Sequence, residues 1–190
     1  MKDDVKIIRF GGWHGTVERN EEEILRSNFQ ESLGVDHWLG EGVYFFTEGV
    51  GSPLTHARNW AKSVAHEKRS TKFAVLKASI AVNDDAILDM RQDLGIELFN
   101  THKSFVLREI RRIHKDWKVR NAKYRDGKVF EHMKHILRLE VIIMNMYVRF
   151  LLDRIEQIPS RVPNCTFLCV SNPEESINRD ATKVVERGYI

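Results

Sequence analysis

The chain has 190 residues, 42% of them hydrophobic, with 30 Lys and Arg against 27 Asp and Glu and a net charge of +3. That length and apolar content suit one domain with a substantial core, here expected over residues 1–190, and no run approaches the roughly eighteen apolar residues of a membrane span. The start, MKDDVKIIRF, lacks the apolar stretch of a secretory signal, so a soluble cytoplasmic protein without a membrane partner is expected.

Val5 to Phe10 is apolar and branched, ends at Gly11-Gly12, and predicts a first strand that delivers WHGT at its end. Asn20 before EEEILRSNF reads as the N-cap of a short helix with acids in its first turn. A loop over 34–42 leads into GVYFF, a short aromatic run suited to a buried strand. A second helix is expected from Leu54 to about Lys68, where Ala57, Trp60, Ala61, Val64 and Ala65 recur at helical spacing. FAVLKASIAV, Phe73 to Val82, is a strong strand, broken by Asn83-Asp84-Asp85 before AILDM.

Residues 94–120 and 129–137 read as helical, with a break at Asp126-Gly127, and VIIMNMYVRFLL fits strand or helix equally. Residues 95–160 are accordingly expected to form a mostly helical insertion. Pro159 and Pro163 bracket a loop before TFLCV, the closing strand. Segregated helices with non-alternating strands imply an α+β fold.

Cys165 and Cys169 would sit about 13 Å apart on an extended chain, beyond disulfide reach, so buried free thiols are expected. The eight histidines supply no HExxH or CxxC pattern, and no metal site is expected.

Charge is unevenly spread. From Lys103 to Lys128 ten Lys or Arg face three acids, with Trp117 and Tyr124 interleaved: either a solvated helix face or a nucleic-acid contact with two stacking platforms.

Three islands carry chemistry. His14-Gly15-Thr16 offers an imidazole, an open backbone and a hydroxyl, which together suit an amide and a ribose. WLGEGVYFF at 38–46 gives two glycines, including Gly42, then the aromatic faces of Tyr44 and Phe45. The third island is the helix carrying Trp60-Ala61.

This ordered combination resembles the ADP-ribosyltransferases of the diphtheria-toxin and poly(ADP-ribose)-polymerase-like clan, small bacterial members above all. FAVLKASIAVNDDAILDM is similar to that family's central strand and FLCVSNPEESI to the strand of its third motif, so the likeness covers most of residues 10–177 and is loose over 95–160. It implies a split β-sheet core with flanking helices and NAD as co-substrate.

The resemblance gives His14 the ribose hydroxyls, Gly15 the nicotinamide amide, and Tyr44 the nicotinamide ring. Thr16, Gly42, Phe45 and Trp60 join the cofactor-binding set, although Trp60 suits a core better. Arg161 suits a pyrophosphate or an acceptor through its planar fork. The third motif normally carries Glu or Gln, and here Phe167 aligns with it, or Thr166 or Cys165 if the register slips. A replacement carboxylate is expected among Glu41, Glu97 and Glu174, or none is present.

The implied activity is mono-ADP-ribosyl transfer with release of nicotinamide, as in a toxin or defence effector. Its acceptor would be RNA or DNA reached through 103–128, or a protein, and an antitoxin would neutralise it. The alternative is a non-catalytic module binding NAD, ADP-ribose or RNA on the same scaffold. RNA 2′-phosphotransfer, whose motifs are unmatched, ranks last.

Overall fold

A computed structural model describes residues 6–33, 37–113 and 122–190. The first strand, β1 (Ile7–Val17), runs straight through Gly11-Gly12 and WHGT, so His14 lies inside a strand rather than beyond its end. Glycine here permits close approach rather than a turn. A Cβ on Gly12 would lie 2.7 Å from Ile80 and 2.9 Å from the Phe45 ring, and one on Gly15 would lie 2.0 Å from the Ala57 carbonyl oxygen.

The helix α1 (Glu21–Ser27) follows, and Asn20 stands at its N-cap position without a capping bond. The Asn20 amide instead donates to Thr16 Oγ1 at 3.0 Å. β2 (Val43–Phe46) is the expected short strand. α2 (Pro53–Glu67) starts where Pro53 fits the first turn and the Ser52 hydroxyl accepts from the Thr55 N–H. Ala57, Ala61 and Ala65 are fully buried, and their small side chains let α2 lie directly on β1 at Gly15.

β3 (Lys72–Asn83) and β4 (Ile87–Asp89) come next, then two helices, α3 (Asp93–Ile113) and α4 (Ala122–Leu137). The expected break at Asp126-Gly127 does not occur. α4 continues through Gly127 because that residue meets the loop before β2, with a Cβ there only 2.3 Å from the His37 carbonyl oxygen.

β5 (Val141–Met146) resolves the ambiguity of VIIMNMYVRFLL, and the short α5 (Leu151–Ile155) ends that segment. β6 (Cys165–Val170) is fully buried. After the one-turn α6 (Pro173–Ser176), the chain adds β7 (Ile177–Tyr189), a strand not expected from the sequence. Its run of charges suits a solvated sheet edge, which pairs on one side only. Arg58 of α2 grips that edge through a two-pronged pair with Glu186.

All seven strands form one sheet in the order β4-β5-β6-β2-β1-β3-β7, antiparallel except for β4 against β5. The architecture is α+β. Residues 95–160 are mostly helical, through α3, α4 and α5, and they also supply β5, which lies within the sheet paired to β4 and β6.

The ladder is uneven. β1 pairs with β3 over eleven residues, whereas its pairing with β2 is through Trp13 and Phe46. Two side chains reinforce that narrow join: His14 bonds the Tyr44 carbonyl, and the Thr47 hydroxyl donates to the Gly11 carbonyl at 2.8 Å. One face of the sheet packs on α2 and on α3 and α4 through residues such as Phe46, Ala57, Phe130 and Phe167. The other buries Phe29, Phe45, Ile80 and Leu168.

Gly15→Ala is expected to cost at least about 2 kcal/mol, since its methyl would strike backbone rather than a movable side chain. Urea unfolding checks this beside Gly11→Ala, whose nearest neighbours belong to the Trp13 side chain at 3.1 Å, and which should cost under about 1 kcal/mol.

Candidate functional site

A cavity of about 1300 Å³ opens beside the β1–β2 join, lined by both strands, β5, β6, α2, the α3–α4 pair and the loop around Pro159. His14 and Gly15 reach it from β1, Tyr44 from β2, Trp60 from α2, Phe167 from β6 and Arg161 from the loop. The sequence-derived candidates Thr16, Gly42 and Phe45 do not line it. Thr16 is buried beneath Asn20, and Phe45 lies wholly in the core beneath the His14 ring, in the cluster of Phe29 and Ile80. Gly42, at φ +146°, allows the turn into β2 to pass close to Val170 and Cys169.

His14 has a defined proton arrangement. Its Nδ1 lies 2.9 Å from the Tyr44 carbonyl oxygen, which can only accept, so Nδ1 carries the hydrogen. Burial lowers the imidazole's pKa and outweighs the raising effect of that bond. The ring, set edge-on against Phe29 and Phe45 at 5.3 and 5.8 Å, is a neutral imidazole with Nε2 free to accept a hydrogen bond.

Tyr44 is held at both ends. Its hydroxyl donates to the Gly40 carbonyl at 2.7 Å and accepts from the Leu39 N–H at 2.9 Å, so the phenol closes its own preceding loop. Burial pushes its pKa upward, which rules out a role as a phenolate near neutral pH. The ring stands edge-on to Phe167 at 6.0 Å and tilted against His37 at 6.1 Å.

An ion pair between buried Lys134 and half-buried Glu131 fixes the same loop from α4. Lys134 bonds the Glu41 carbonyl and sits 3.2 Å from the Glu131 carboxylate, which itself accepts from the Glu41 N–H. Gly40, at φ +78°, lies so close to Glu131 that a Cβ would be 2.0 Å from its oxygen. Cys169 lies 3.8 Å from the Lys134 ammonium, yet burial still pushes its thiol up to about 11, and Cys165 rises to about 12 for the same reason. Both are protonated core thiols without nucleophilic character at neutral pH.

The charged rim was not legible in sequence. Arg154 pairs with Glu67, donates to the Arg149 carbonyl at 2.8 Å and stacks over the Trp60 ring at 5.0 Å. Glu67 follows Trp60 by seven residues, two turns on one helix face, which was the available signal. Asn145 is a second missed residue. The Thr166 hydroxyl accepts from the Val50 N–H and donates to Asn145 Oδ1, an oxygen that can only accept, leaving the Asn145 amide hydrogens as donors.

Phe167, which the sequence resemblance aligns with a third-motif carboxylate, is an almost buried ring packed on Phe46 at 4.6 Å. Of the expected carboxylates, Glu97 and Glu174 are exposed outside the cavity and Glu41 does not line it. Glu67 and Asp126 are the lining acids among the described residues, against Arg149, Arg154 and Arg161. Among those residues no cluster of His, Cys, Asp or Glu is placed to hold a metal ion. No helix among them is long and apolar enough to cross a membrane.

No family model matches the chain. A stretch of 109 residues, 52% of this chain, is 30% identical to an uncharacterized protein of Methanocaldococcus jannaschii and covers 49% of it, so the chain spans about half the length of that curated relative.

The lowered pKa of His14 carries a sign. The unfolded imidazole, with a pKa near 6.5, binds a proton that the folded one refuses, so stability is fully present above that value and is lost as pH falls through it. The melting temperature of the wild type is expected to fall more between pH 7.5 and 5.5 (a window set about the ordinary histidine value) than that of His14→Gln; parallel curves would place His14 in an exposed, unperturbed setting.

Proposed function

We propose that the protein is an NAD-dependent mono-ADP-ribosyltransferase that releases nicotinamide and passes ADP-ribose to a macromolecular acceptor inside the cell. The observation that carries this reading is the neutral His14 imidazole, its tautomer fixed by Tyr44, at the wall of a cavity with aromatic sides and an arginine rim. Nε2 of His14 is suited to accept from a ribose hydroxyl, and Tyr44 with Phe167 supplies an aromatic corner for a flat ring. Arg161 and Arg149 suit a pyrophosphate.

In the reaction, the bond between nicotinamide and ribose breaks with its electrons leaving on nicotinamide. The acceptor's nucleophile forms the new bond to the ribose carbon and loses its proton. An environment of neutral imidazole and aromatic walls holds the leaving group in line, and such positioning accounts for a large part of a displacement's rate. Toxin or effector action, with a neutralising partner, fits this chemistry.

A second reading has its own observation. Phe167 stands where the resemblance calls for a carboxylate, with the rings of Tyr44 and Phe46 against it, which favours a module that binds NAD or ADP-ribose without turnover.

Nicotinamide release from NAD separates the two. Wild type is expected to release it, with His14→Ala slower by about two orders of magnitude, the scale for losing one aligned hydrogen-bonding group. Arg161→Ala should raise KM about tenfold and leave kcat near its original value, as for a lost charge-assisted contact to a phosphate. Calorimetric NAD binding without release would establish the binding module, and absence of binding would overturn both readings.

A further inference from the structure

We propose that the outer face of the α3–α4 pair is a docking surface for single-stranded RNA. The proposal rests on the transferase reading only in making that RNA the acceptor; binding itself stands apart from it.

The two helices turn one side inward. Phe99 and Phe130 meet at 4.7 Å, Lys103 reaches Asp126 at 3.4 Å, and Val106, Val129 and Met133 are buried. On the opposite side of α3, Phe105, Arg108 and Arg112 follow at steps of three and four, which sets them on one helix face. On α4, Arg125, Lys128, His132 and His135 follow at three, four and three.

The seam between these faces carries rings. Phe105 is 50% exposed, and its ring centroid lies 5.3 Å from that of His132, which lies 5.3 Å from His102. Beside Phe105, Ser104, Leu107, Arg108 and Arg111 line a shallow groove. Glu109, the acid on this face, pairs with Arg112, but that arginine side chain is 75% exposed. An ion pair so exposed is worth under about 1 kcal/mol and exchanges readily for a phosphate.

Charge selects the partner. An apolar protein surface covering Phe105 would also bury Arg108, Arg125 and Lys128 without counter-charge, whereas a polyanion neutralises them and releases its counterions. The rings select the strand state, because only unpaired bases offer a π-face for stacking. Folded RNA displays such bases in its loops and ends, while DNA keeps them within the duplex. This surface differs from the stacking pair expected from the sequence: Trp117 lies outside the described residues, and the platform here is Phe105 with His132 and His102. Asp126, Phe99 and Phe130 of the same helices line the cavity, so RNA held outside lies about one helix diameter, roughly 10 Å, from it.

Fluorescence anisotropy with a labelled single-stranded RNA of about 12 nucleotides tests this. Phe105→Leu, which keeps the apolar bulk and removes the π-face, is expected to weaken binding about tenfold. Arg108→Glu with Lys128→Glu should weaken it further and flatten the dependence of affinity on salt. Duplex DNA should compete poorly. The positions are exposed or half-exposed, and unchanged melting curves establish that the variants fold. Affinity within twofold of wild type in either variant, or equal affinity for duplex DNA, would overturn the surface. Nicotinamide release without RNA should be untouched by these substitutions, so failure of docking and failure of the transferase reading are read separately. RNA bound here but never labelled, with a protein labelled instead, would leave the surface standing and remove RNA as the acceptor.

Discussion

Between β1 and β2 a sheet that is otherwise generously paired narrows to Trp13 against Phe46, and the cavity exists because the two strands part beyond that point. An open edge inside a sheet leaves backbone groups unsatisfied unless side chains meet them. His14 does so by donating to the Tyr44 carbonyl, and Thr47 by donating to that of Gly11. The residue that closes the gap also lines the cavity with its second ring nitrogen unbonded, so under the proposed transferase reading structural and functional demands fall on one imidazole that burial keeps neutral.

The walls are fastened from two directions. α2 reaches β1 because glycine and three alanines leave room for helix backbone against strand backbone. α4 holds the loop before β2 through Lys134, Glu131 and the bare backbone of Gly127. Tyr44 completes the arrangement from inside by tying its hydroxyl to Gly40 and Leu39. A site held this way spends little ordering entropy when a ligand arrives. The buried Lys134 and the half-buried Glu131 satisfy one another and the loop together, the condition under which the buried ammonium is tolerated.

Charge is sorted by location. Glu67 orients Arg154 on Trp60, so one acid at the rim serves to aim an arginine. Arginine outnumbers acid along the cavity lining among the described residues, and the far side of α3 and α4 is basic. The nucleotide proposed inside and the RNA proposed outside would each complement such charge.

Much of the site was legible because it is local. WHGT and GVYFF are contiguous runs, and His14, Tyr44, Phe167, Trp60 and Arg161 all reach the same cavity. The errors came where a residue's type fits two environments. Glycine at 11–12 and at 127 reads as punctuation, yet in the fold it marks close contact of strand with core and helix with loop. The polar run of β7 carries too few apolar residues to announce a strand, because an edge needs none on its solvent side. Phe45, adjacent to Tyr44, necessarily points to the other face of the sheet.

By itself the sequence determined the α+β composition of elements, the short-range motifs, the reduced and buried state of both thiols, and the placing of apolar residues that drives collapse. Only tertiary structure decided that β5 belongs in the sheet, that Arg154 lies on Trp60, that Lys134 is buried against Glu41, and that Glu97 and Glu174 stand away from the cavity. The physical reason is range: propensity and periodicity act over a few residues, whereas these contacts join positions far apart along the chain, such as Trp60 and Arg154, and form only once the strands have paired and the helices have docked.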